Sequence, residues 1–477
     1  MRERLNFLAI LTFLGLSTVS AQTPVGQMDS QAMTADGRYI RWIEHIIDSE
    51  EIAGFNLNGA DGLVMGDLDR DGYADIVSVH ESDSTYDSSS FDPDYVPTTE
   101  GYVRIGFGSA SPDEWVNITL AEDVDAPAPE DAAIADVNGD GWLDVVVAAE
   151  LSHLLYLQNP GTAVRSTPWP RLVLPMTKNR GSYIRVFFAD FDGDGQPEIS
   201  AANKGAQRPG PQDYANSTPV SIFSVDGDPL AGENWQEIVL GNFSVPQNAE
   251  PVDIDSDGDL DIMVGSRGEN RLILFENTGQ DLQFVEHAVG IVGSAHSGFN
   301  LAYADINADG RLDIINPSTE ALGWLEQPEQ LDHAWVFHSI GQVAPDTAWS
   351  AGLEVADING DGLADVLMGT YSKGDRQDES NITVIDPLGR LVWFENPGSL
   401  SIPWQRHDIS RRKRGMFDKF IARDMDNDGD IDFVGTRGNS APYDGVYWLE
   451  QVRSTNPAPR FTPAREQESI EMPLPYR

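Results

Sequence analysis

The sequence predicts an all-β protein, a seven-bladed β-propeller of four-stranded blades. Two observations lead to this fold class: an acidic nine-residue loop occurs seven times, and an apolar run followed by short aromatic strands accompanies it. Successive loops begin 52 to 69 residues apart, and a segment of that length can hold about four short strands. The sequence between the loops contains no convincing long helix. An extended β-solenoid is the alternative, and the chain closure described below favours the ring.

The repeated loop has the form Asp-x-Asp-x-Asp-Gly-x-x-Asp, as in residues 253–261. Positions 1, 3, 5 and 9 are Asp, except that position 3 is Asn in three copies and position 9 is Glu in one. These candidate metal ligands are Asp67, Asp69, Asp71, Asp75, Asp136, Asn138, Asp140, Asp144, Asp190, Asp192, Asp194, Glu198, Asp253, Asp255, Asp257, Asp261, Asp305, Asn307, Asp309, Asp313, Asp357, Asn359, Asp361, Asp365, Asp424, Asp426, Asp428 and Asp432.

This spacing suits calcium, a hard cation that takes six to eight oxygen ligands. Side chains 1, 3 and 5 of a tight loop point at one centre, the glycine at position 6 permits the turn, and the carbonyl of position 7 and the acid at position 9 complete the shell. An EF-hand would need Glu at position 12 and flanking helices, and no copy has that Glu. We therefore expect Ca²⁺ at up to seven strand–loop–strand sites with Asp-x-Asp-x-Asp-Gly calcium loops. Metal-free Asp-Gly turns are the alternative.

The charge balance agrees with a metal requirement. The formal net charge is −46, from 31 basic and 77 acidic residues, and 25 of the acids occupy positions 1, 3, 5 and 9 of the seven loops. So acidic a surface argues against a nucleic-acid partner. The chain contains no cysteine, so calcium rather than disulfide bonds would stabilise an exported, bacterial protein.

The first 21 residues have the pattern of a secretory signal peptide. Arg2 and Arg4 precede an apolar stretch at 5–16, and small residues at 19–21 form a cleavage site before Gln22. A membrane anchor is the alternative, although the apolar stretch is short for one. We expect a secreted or periplasmic location, no membrane span in the mature chain, and a monomer.

The remaining strands follow each loop in a fixed order. A third strand ends in an aromatic residue and then Asn or Gln, at 154–159, 272–277, 323–327, 391–396 and 446–451. A fourth strand opens with an aromatic residue, at 115–118, 169–173, 235–239, 284–287, 335–338 and 404–407. A further copy of this fourth strand, containing Trp42, precedes the first loop. Residues 38–48 are therefore expected to close the last blade of a propeller spanning 22–455, followed by a loosely packed, Pro-rich tail at 456–477.

Over residues 42–451 the chain resembles the FG-GAP/VCBS-type repeat proteins of bacteria, and its loops are similar to those of integrin α-chain propellers. A clear Gly-Ala-Pro after each loop is missing, so the resemblance is nearer to the VCBS type. The resemblance implies a calcium-bearing propeller. It leaves the activity open, because the family includes adhesins and carbohydrate-binding modules, and some polysaccharide lyases are calcium- or zinc-bearing propellers.

The ligand surface is expected opposite the calcium loops, where first strands begin and second strands end. Candidate ligand-binding residues there are Arg180, Tyr183, Lys204, Arg267, Trp349, Lys419 and Arg437. A cationic surface on an acidic body would attract an anionic polysaccharide or a cell-surface protein, with aromatic rings to stack on sugars. Alternatively, these cations pair with acids of neighbouring blades.

A binding or adhesion module is the favoured function, and a polysaccharide lyase is the alternative. β-Elimination of a uronide needs a base and a cation beside the carboxylate. The candidates are His80, His296, Tyr183, Arg180 and Lys204. No Gly-x-Ser-x-Gly, His-Glu-x-x-His or phosphate-binding loop occurs, which disfavours catalysis. A purely structural protein is a third possibility, favoured if the residues of the ligand surface are fully paired.

Overall fold

The computed structural model describes residues 22–82, 101–166, 168–279, 281–292, 298–317, 322–341, 349–372, 380–438 and 440–475. The signal-peptide prediction and the candidate His296 lie outside the described residues, and Trp349 is described in its backbone only. The other candidate site residues are all described.

The described residues form seven sheets around one ring, so the all-β, seven-bladed prediction is confirmed. Blade 1 contains Ala60–Gly66, Asp75–His80, Tyr102–Phe107 and Val116–Glu122; blade 2, Pro129–Ala135, Asp144–Ala149, His153–Leu157 and Arg171–Val173; blade 3, Tyr183–Ala189, Glu198–Asn203, Thr218–Val225 and Trp235–Phe243; blade 4, Pro246–Val252, Asp261–Ser266, Arg271–Asn277 and Phe284–Ala288; blade 5, Ala302–Ala304, Asp313–Pro317, Leu322–Glu326 and Trp335–Gly341; blade 6, Trp349–Ala356, Asp365–Tyr371, Gly389–Glu395 and Gln405–Arg412; blade 7, Phe420–Arg423, Asp432–Arg437, Gly445–Ser454 and Tyr39–Ser49.

Two short strands extend these sheets in parallel. Ile291–Val292 pairs with the fourth strand of blade 5, and Phe461–Thr462 pairs with Tyr39–Ser49 of blade 7. Helix is scarce within the described ranges: one α-helix, Glu50–Ala53, and the 3₁₀ turns Val25–Gln27, Asp123–Asp125, Gly161–Ala163, Asp213–Ala215 and Gly232–Asn234. No helix among the described residues has the length and apolar character needed to cross a membrane.

The N-terminal strand is the fourth strand of the last blade. Tyr39–Ser49 runs antiparallel to Gly445–Ser454 and places Trp42 opposite Gln451 and His45 opposite Trp448. The His45 ring stacks on Trp448 at 4.2 Å, as the His338 ring stacks on Trp324 at 4.4 Å. The histidines of the aromatic strands therefore pack against the neighbouring strand of their own blade.

The hydrophobic core lies between the blades. Among the described residues, each interface between neighbouring blades contains its own cluster of buried apolar side chains. The apolar run after each loop supplies much of it, for example Val77 and Val145 between blades 1 and 2. Burial of both faces explains why these second strands read as continuous apolar runs.

The C-terminal segment does not pack loosely, and that expectation was wrong. Phe461 is buried beside Trp42. Backbone hydrogen bonds join Lys413 N to Ile470 O at 3.0 Å and Met472 N to Arg411 O at 2.7 Å. The Pro-rich composition concealed one buried ring, Phe461, and one acid, Glu468, that pairs with Arg412 of blade 6 and Arg437 of blade 7.

Candidate metal centres and ligand-binding surface

The seven acidic loops share one hydrogen-bonding pattern. In the loop that begins at Asp253, the N–H of Asp257 donates to Asp255 Oδ1 at 3.2 Å, and the N–H of Gly258 donates to Asp253 Oδ2 at 3.2 Å. The N–H of Asp259 then donates to Asp257 Oδ1 at 3.0 Å. The glycine has a φ of 100°, a conformation that only glycine adopts without strain. These bonds turn the side chains of positions 1, 3 and 5 toward the inside of the loop.

The inward-facing oxygens lie close enough together to hold a metal ion. In four loops, three carboxylates offer oxygens that lie within 4.8 Å of one another: Asp67/Asp69/Asp71, Asp190/Asp192/Asp194, Asp253/Asp255/Asp261 and Asp424/Asp426/Asp432. In the other three loops the amide oxygen of Asn138, Asn307 or Asn359 accepts the same bond from position 5. An all-oxygen donor set fits a hard divalent cation such as Ca²⁺, which would neutralise the converging acids.

The acid at position 9 is buried and connects its loop to the third strand. Asp144 Oδ2 accepts bonds from Val137 N at 3.2 Å and from the Tyr156 hydroxyl at 2.7 Å, and Asp144 Oδ1 accepts from Asn159 N at 2.8 Å. Burial raises the pKa of Asp144 to about 6. Position 9 therefore supports the loop through the backbone as well as offering oxygen to a metal.

In each of six blades, a side-chain amide donates a hydrogen bond to the acidic loop of the preceding blade. Asn159 Nδ2 donates to Leu68 O at 2.9 Å, and Leu68 is position 2 of the loop in blade 1. The equivalent bonds run from Asn277 to Phe191, Gln327 to Ile254, Asn396 to Ile306 and Gln451 to Ile358. In blade 3 the donor is Gln196, within the loop, and the acceptor is Val137 O. The sequence pattern showed the recurring amide but not this role.

The junction between blades 7 and 1 is built differently. Gly108 stands where blades 2, 4, 5, 6 and 7 have Asn or Gln, and a Cβ there would lie 2.3 Å from Ala74 O. A buried ion pair crosses this junction instead, with Arg104 Nε 2.7 Å from Asp48 Oδ2. The closing strand is thus held by charge as well as by its backbone.

The predicted cationic surface is not a free surface. Arg180 pairs with Glu237, and Lys204 is 3% exposed and pairs with Glu150. Arg437 is 2% exposed, with its Nη1 2.8 Å from Glu468 Oε1. Partners from other strands, from a neighbouring blade or from the C-terminal segment neutralise these cations. Arg267 is exposed and has no ion pair within the described part of the chain.

Two of the predicted catalytic or stacking residues are buried. Tyr183 is 1% exposed in the cluster between blades 2 and 3, and burial raises its pKa. His80 is fully buried, its Nε2 lies 3.0 Å from Ser78 Oγ, and burial lowers its pKa to about 3. Neither ring reaches solvent, because the two inner strands of each blade are covered by the neighbouring blades. The assignment of these residues to ligand contact or catalysis was therefore wrong.

Lys419, the remaining predicted cation, lies at the axis. It lines a cavity of about 340 Å³ together with Asp131 and Glu354. Across the axis, Arg185 Nη2 lies 2.9 Å from Asp418 Oδ2 and 2.9 Å from Asn300 Oδ1. Side chains from blades 2, 3, 5, 6 and 7 therefore form a polar network at the centre of the ring.

A buried acidic cluster surrounds the Lys204–Glu150 pair. Asp61, Glu81 and Glu130 offer carboxylate oxygens within 4.8 Å of one another, and all three are buried. Burial and then the charge of Glu150 raise the pKa of Glu130 well above its ordinary value. Lys204 therefore serves to balance charge inside the protein.

A groove that the sequence did not reveal opens where blades 7 and 1 meet. Its volume is about 600 Å³, and three segments distant in sequence line it. The lining residues are Glu50, Glu51, Gly54, Phe55, Asn56, Pro442, Tyr443, Arg465 and Gln467. Aromatic, amide and charged side chains together are the composition of a polar-ligand site.

Comparison with protein families agrees with the repeated loops. Residues 136–200 and 253–315 match the model of the FG-GAP-like repeat, and each match runs from one acidic loop into the next. The chain carries FG-GAP-like repeats. No curated protein shows significant sequence similarity to this chain.

Solved structures with a similar arrangement include an Agrocybe aegerita lectin described as recognising non-reducing terminal N-acetylglucosamine. That similarity has 15% identity and a TM-score of 0.42, and it covers 87% of this chain and 94% of the lectin. A second is BBS1N in complex with ARL6DN, at 10% identity and a TM-score of 0.44, covering 84% of this chain and 95% of that one.

Proposed function

We propose that this FG-GAP-like propeller is a secreted, calcium-loaded binding module for a glycan or another cell-surface ligand. The observation that carries the proposal is the hydrogen-bonding pattern that all seven loops share, which in four of them brings three carboxylate oxygens within 4.8 Å of one another. Calcium there would rigidify one face of the ring. A ring held in this way presents a fixed surface, and a preorganised surface loses little entropy on binding.

The nature of the ligand rests on different residues from those the sequence suggested. A site for an anionic polysaccharide would need cationic side chains that are free to contact it. Arg180, Lys204 and Arg437 are instead paired with acids of the protein. The described candidates for a lyase, His80 and Tyr183, are buried. The groove at blades 7 and 1 supports glycan binding better, because it combines aromatic rings with hydrogen-bonding groups.

A screen of the mature chain, residues 22–477, tests the proposal. Affinity electrophoresis in millimolar calcium would use gels that contain laminarin, galactomannan, starch or polygalacturonate. We expect at least one polysaccharide to retard the protein, and chelation to reduce the retardation. Ultraviolet absorbance of an unsaturated product would show lyase activity and contradict the binding-module proposal. Absence of retardation in every gel would contradict glycan binding.

A further inference from the structure

The groove at blades 7 and 1 has the features of a site for a neutral sugar. We propose that it binds a neutral glycan unit, with Phe55 and Tyr443 as the surfaces that contact the sugar ring. This inference rests on the proposed function and names its site and ligand class. A volume of about 600 Å³ lies within the range of small-ligand pockets, whereas protein partners usually occupy broader and flatter surfaces.

Both aromatic rings are held in place from behind. The Phe55 ring centroid lies 4.6 Å from that of Tyr102, and the Arg104 guanidinium lies 5.3 Å from the Phe55 centroid. The Arg437 guanidinium lies 5.8 Å from the Tyr443 ring centroid. Both rings are half-buried. A ring that is fixed on one side and accessible on another provides contact area at low entropic cost.

The polar groups of the groove suit hydroxyl groups better than anions. Glu50 and Glu51 accept hydrogen bonds, Asn56 and Gln467 both donate and accept, and Arg465 donates. Arg465 is half-buried and lines the groove, so its guanidinium can donate to a ligand oxygen, and its Nη1 has no hydrogen-bond partner among the described residues. With two carboxylates and one guanidinium the groove is net negative, which disfavours a uronate or a sulfated sugar.

The C-terminal segment supplies one wall, and contacts on both sides of that wall fix it. Ala464 N donates to Glu44 Oε2 at 3.2 Å just before Arg465, and Glu468 pairs with Arg437 just after Gln467. Glu44 in turn pairs with Arg412 at 2.9 Å. Arg465 and Gln467 are therefore presented from an anchored segment rather than from a free tail.

Titration of the mature chain with a polysaccharide that retards it, laminarin or galactomannan for example, tests the site. We expect Tyr443→Ala and Arg465→Ala each to weaken binding at least tenfold, because they remove the ring contact and the guanidinium that lines the groove. Tyr214→Ala and Arg208→Ala are matched controls, since both residues are exposed and lie outside the groove, and they should leave the affinity unchanged. Melting temperatures of all four variants verify that each is folded.

The possible results separate the two proposals. Retardation of the wild type by a neutral polysaccharide, with unchanged affinity in Tyr443→Ala and Arg465→Ala, overturns the groove and leaves the binding module standing. Retention by polygalacturonate alone overturns the neutral preference. No retention by any polysaccharide overturns both. If one groove variant is unfolded, the other decides the location.

Discussion

The side-chain amide of Asn277 donates a 2.7 Å hydrogen bond to the backbone carbonyl of Phe191, and so joins blade 4 to the acidic loop of blade 3. The backbone N–H of Asn277 simultaneously donates to Asp261 Oδ1 at 2.8 Å, in the loop of its own blade. One residue therefore contacts two neighbouring loops. Order in one acidic loop is coupled through such residues to order in the next.

Replacement of this amide should destabilise the ring. We expect Asn277→Ala to lower the free energy of unfolding by about 1–3 kcal/mol, because it leaves the buried Phe191 carbonyl without its donor. Asn242→Ala is the control, since Asn242 is exposed on an outer strand. Urea denaturation of both variants measures the difference. Equal stability of the two would contradict a role for the amide bond.

Calcium should raise the melting temperature. An ion that binds only the folded state stabilises it by RT ln(1 + [L]/Kd), about 2.7 kcal/mol per site at a free concentration of 100 Kd. Asp257→Asn should reduce the calcium-dependent shift, because it removes a carboxylate of the site. Asp259→Asn changes the same loop at position 7, where the expected ligand is the backbone carbonyl, and should retain the shift. Calorimetry with calcium and with chelator tests both, and equal melting in the two conditions would refute the metal assignment.

The buried Arg104–Asp48 pair should be costly to break. Asp48→Ala leaves a buried guanidinium uncompensated, and we expect a loss of about 3–5 kcal/mol. Asp36→Ala breaks the exposed Arg38–Asp36 pair, whose atoms lie 2.9 Å apart, and should cost about 0–1 kcal/mol. Chemical denaturation compares the two variants. Similar losses would mean that Asp48 does not hold the closing strand through its charge.

The axial cavity should make stability depend on pH. Burial raises the pKa of Glu354 to about 7, although the nearby charge of Lys419 opposes the rise. The folded protein therefore holds a proton on Glu354 that the unfolded chain releases near pH 4.5. This contribution to stability is fully present at low pH and is lost as the pH rises through about 7.

Glu354→Gln isolates that contribution. Between pH 5 and pH 8.5 the stability of this variant should fall less than that of the wild type, because the amide does not titrate. Glu286→Gln, an exposed change on an outer strand, should follow the wild-type profile. Parallel profiles for Glu354→Gln and the wild type would show that Glu354 does not titrate in this range.

The predictions from sequence succeeded where the information was local. Aspartate spacing and a following glycine lie within nine residues, so the loop positions and the number of blades were readable. Ion pairing was not readable, because Lys204 meets Glu150 from another blade and Arg437 meets Glu468 from the C-terminal segment. The groove could not be predicted from the sequence for the same reason, because its residues are distant along the chain. Phe55, Tyr443 and Arg465 come together only in the closed ring.

The pairing of Tyr39–Ser49 with Gly445–Ser454 also sets an order of events during synthesis. His45 and Glu450, whose side chains lie 2.9 Å apart, are separated by 405 residues along the chain. At about 5–20 residues per second, a ribosome needs roughly 20–80 s to span that separation. Until then Tyr39–Ser49 lacks the Gly445–Ser454 strand with which it pairs, so the ring can close only after the other six blades have been synthesised. Slow, non-local closure of this kind exposes the nascent chain to mispairing, which makes its first strand the point where a chaperone would matter most.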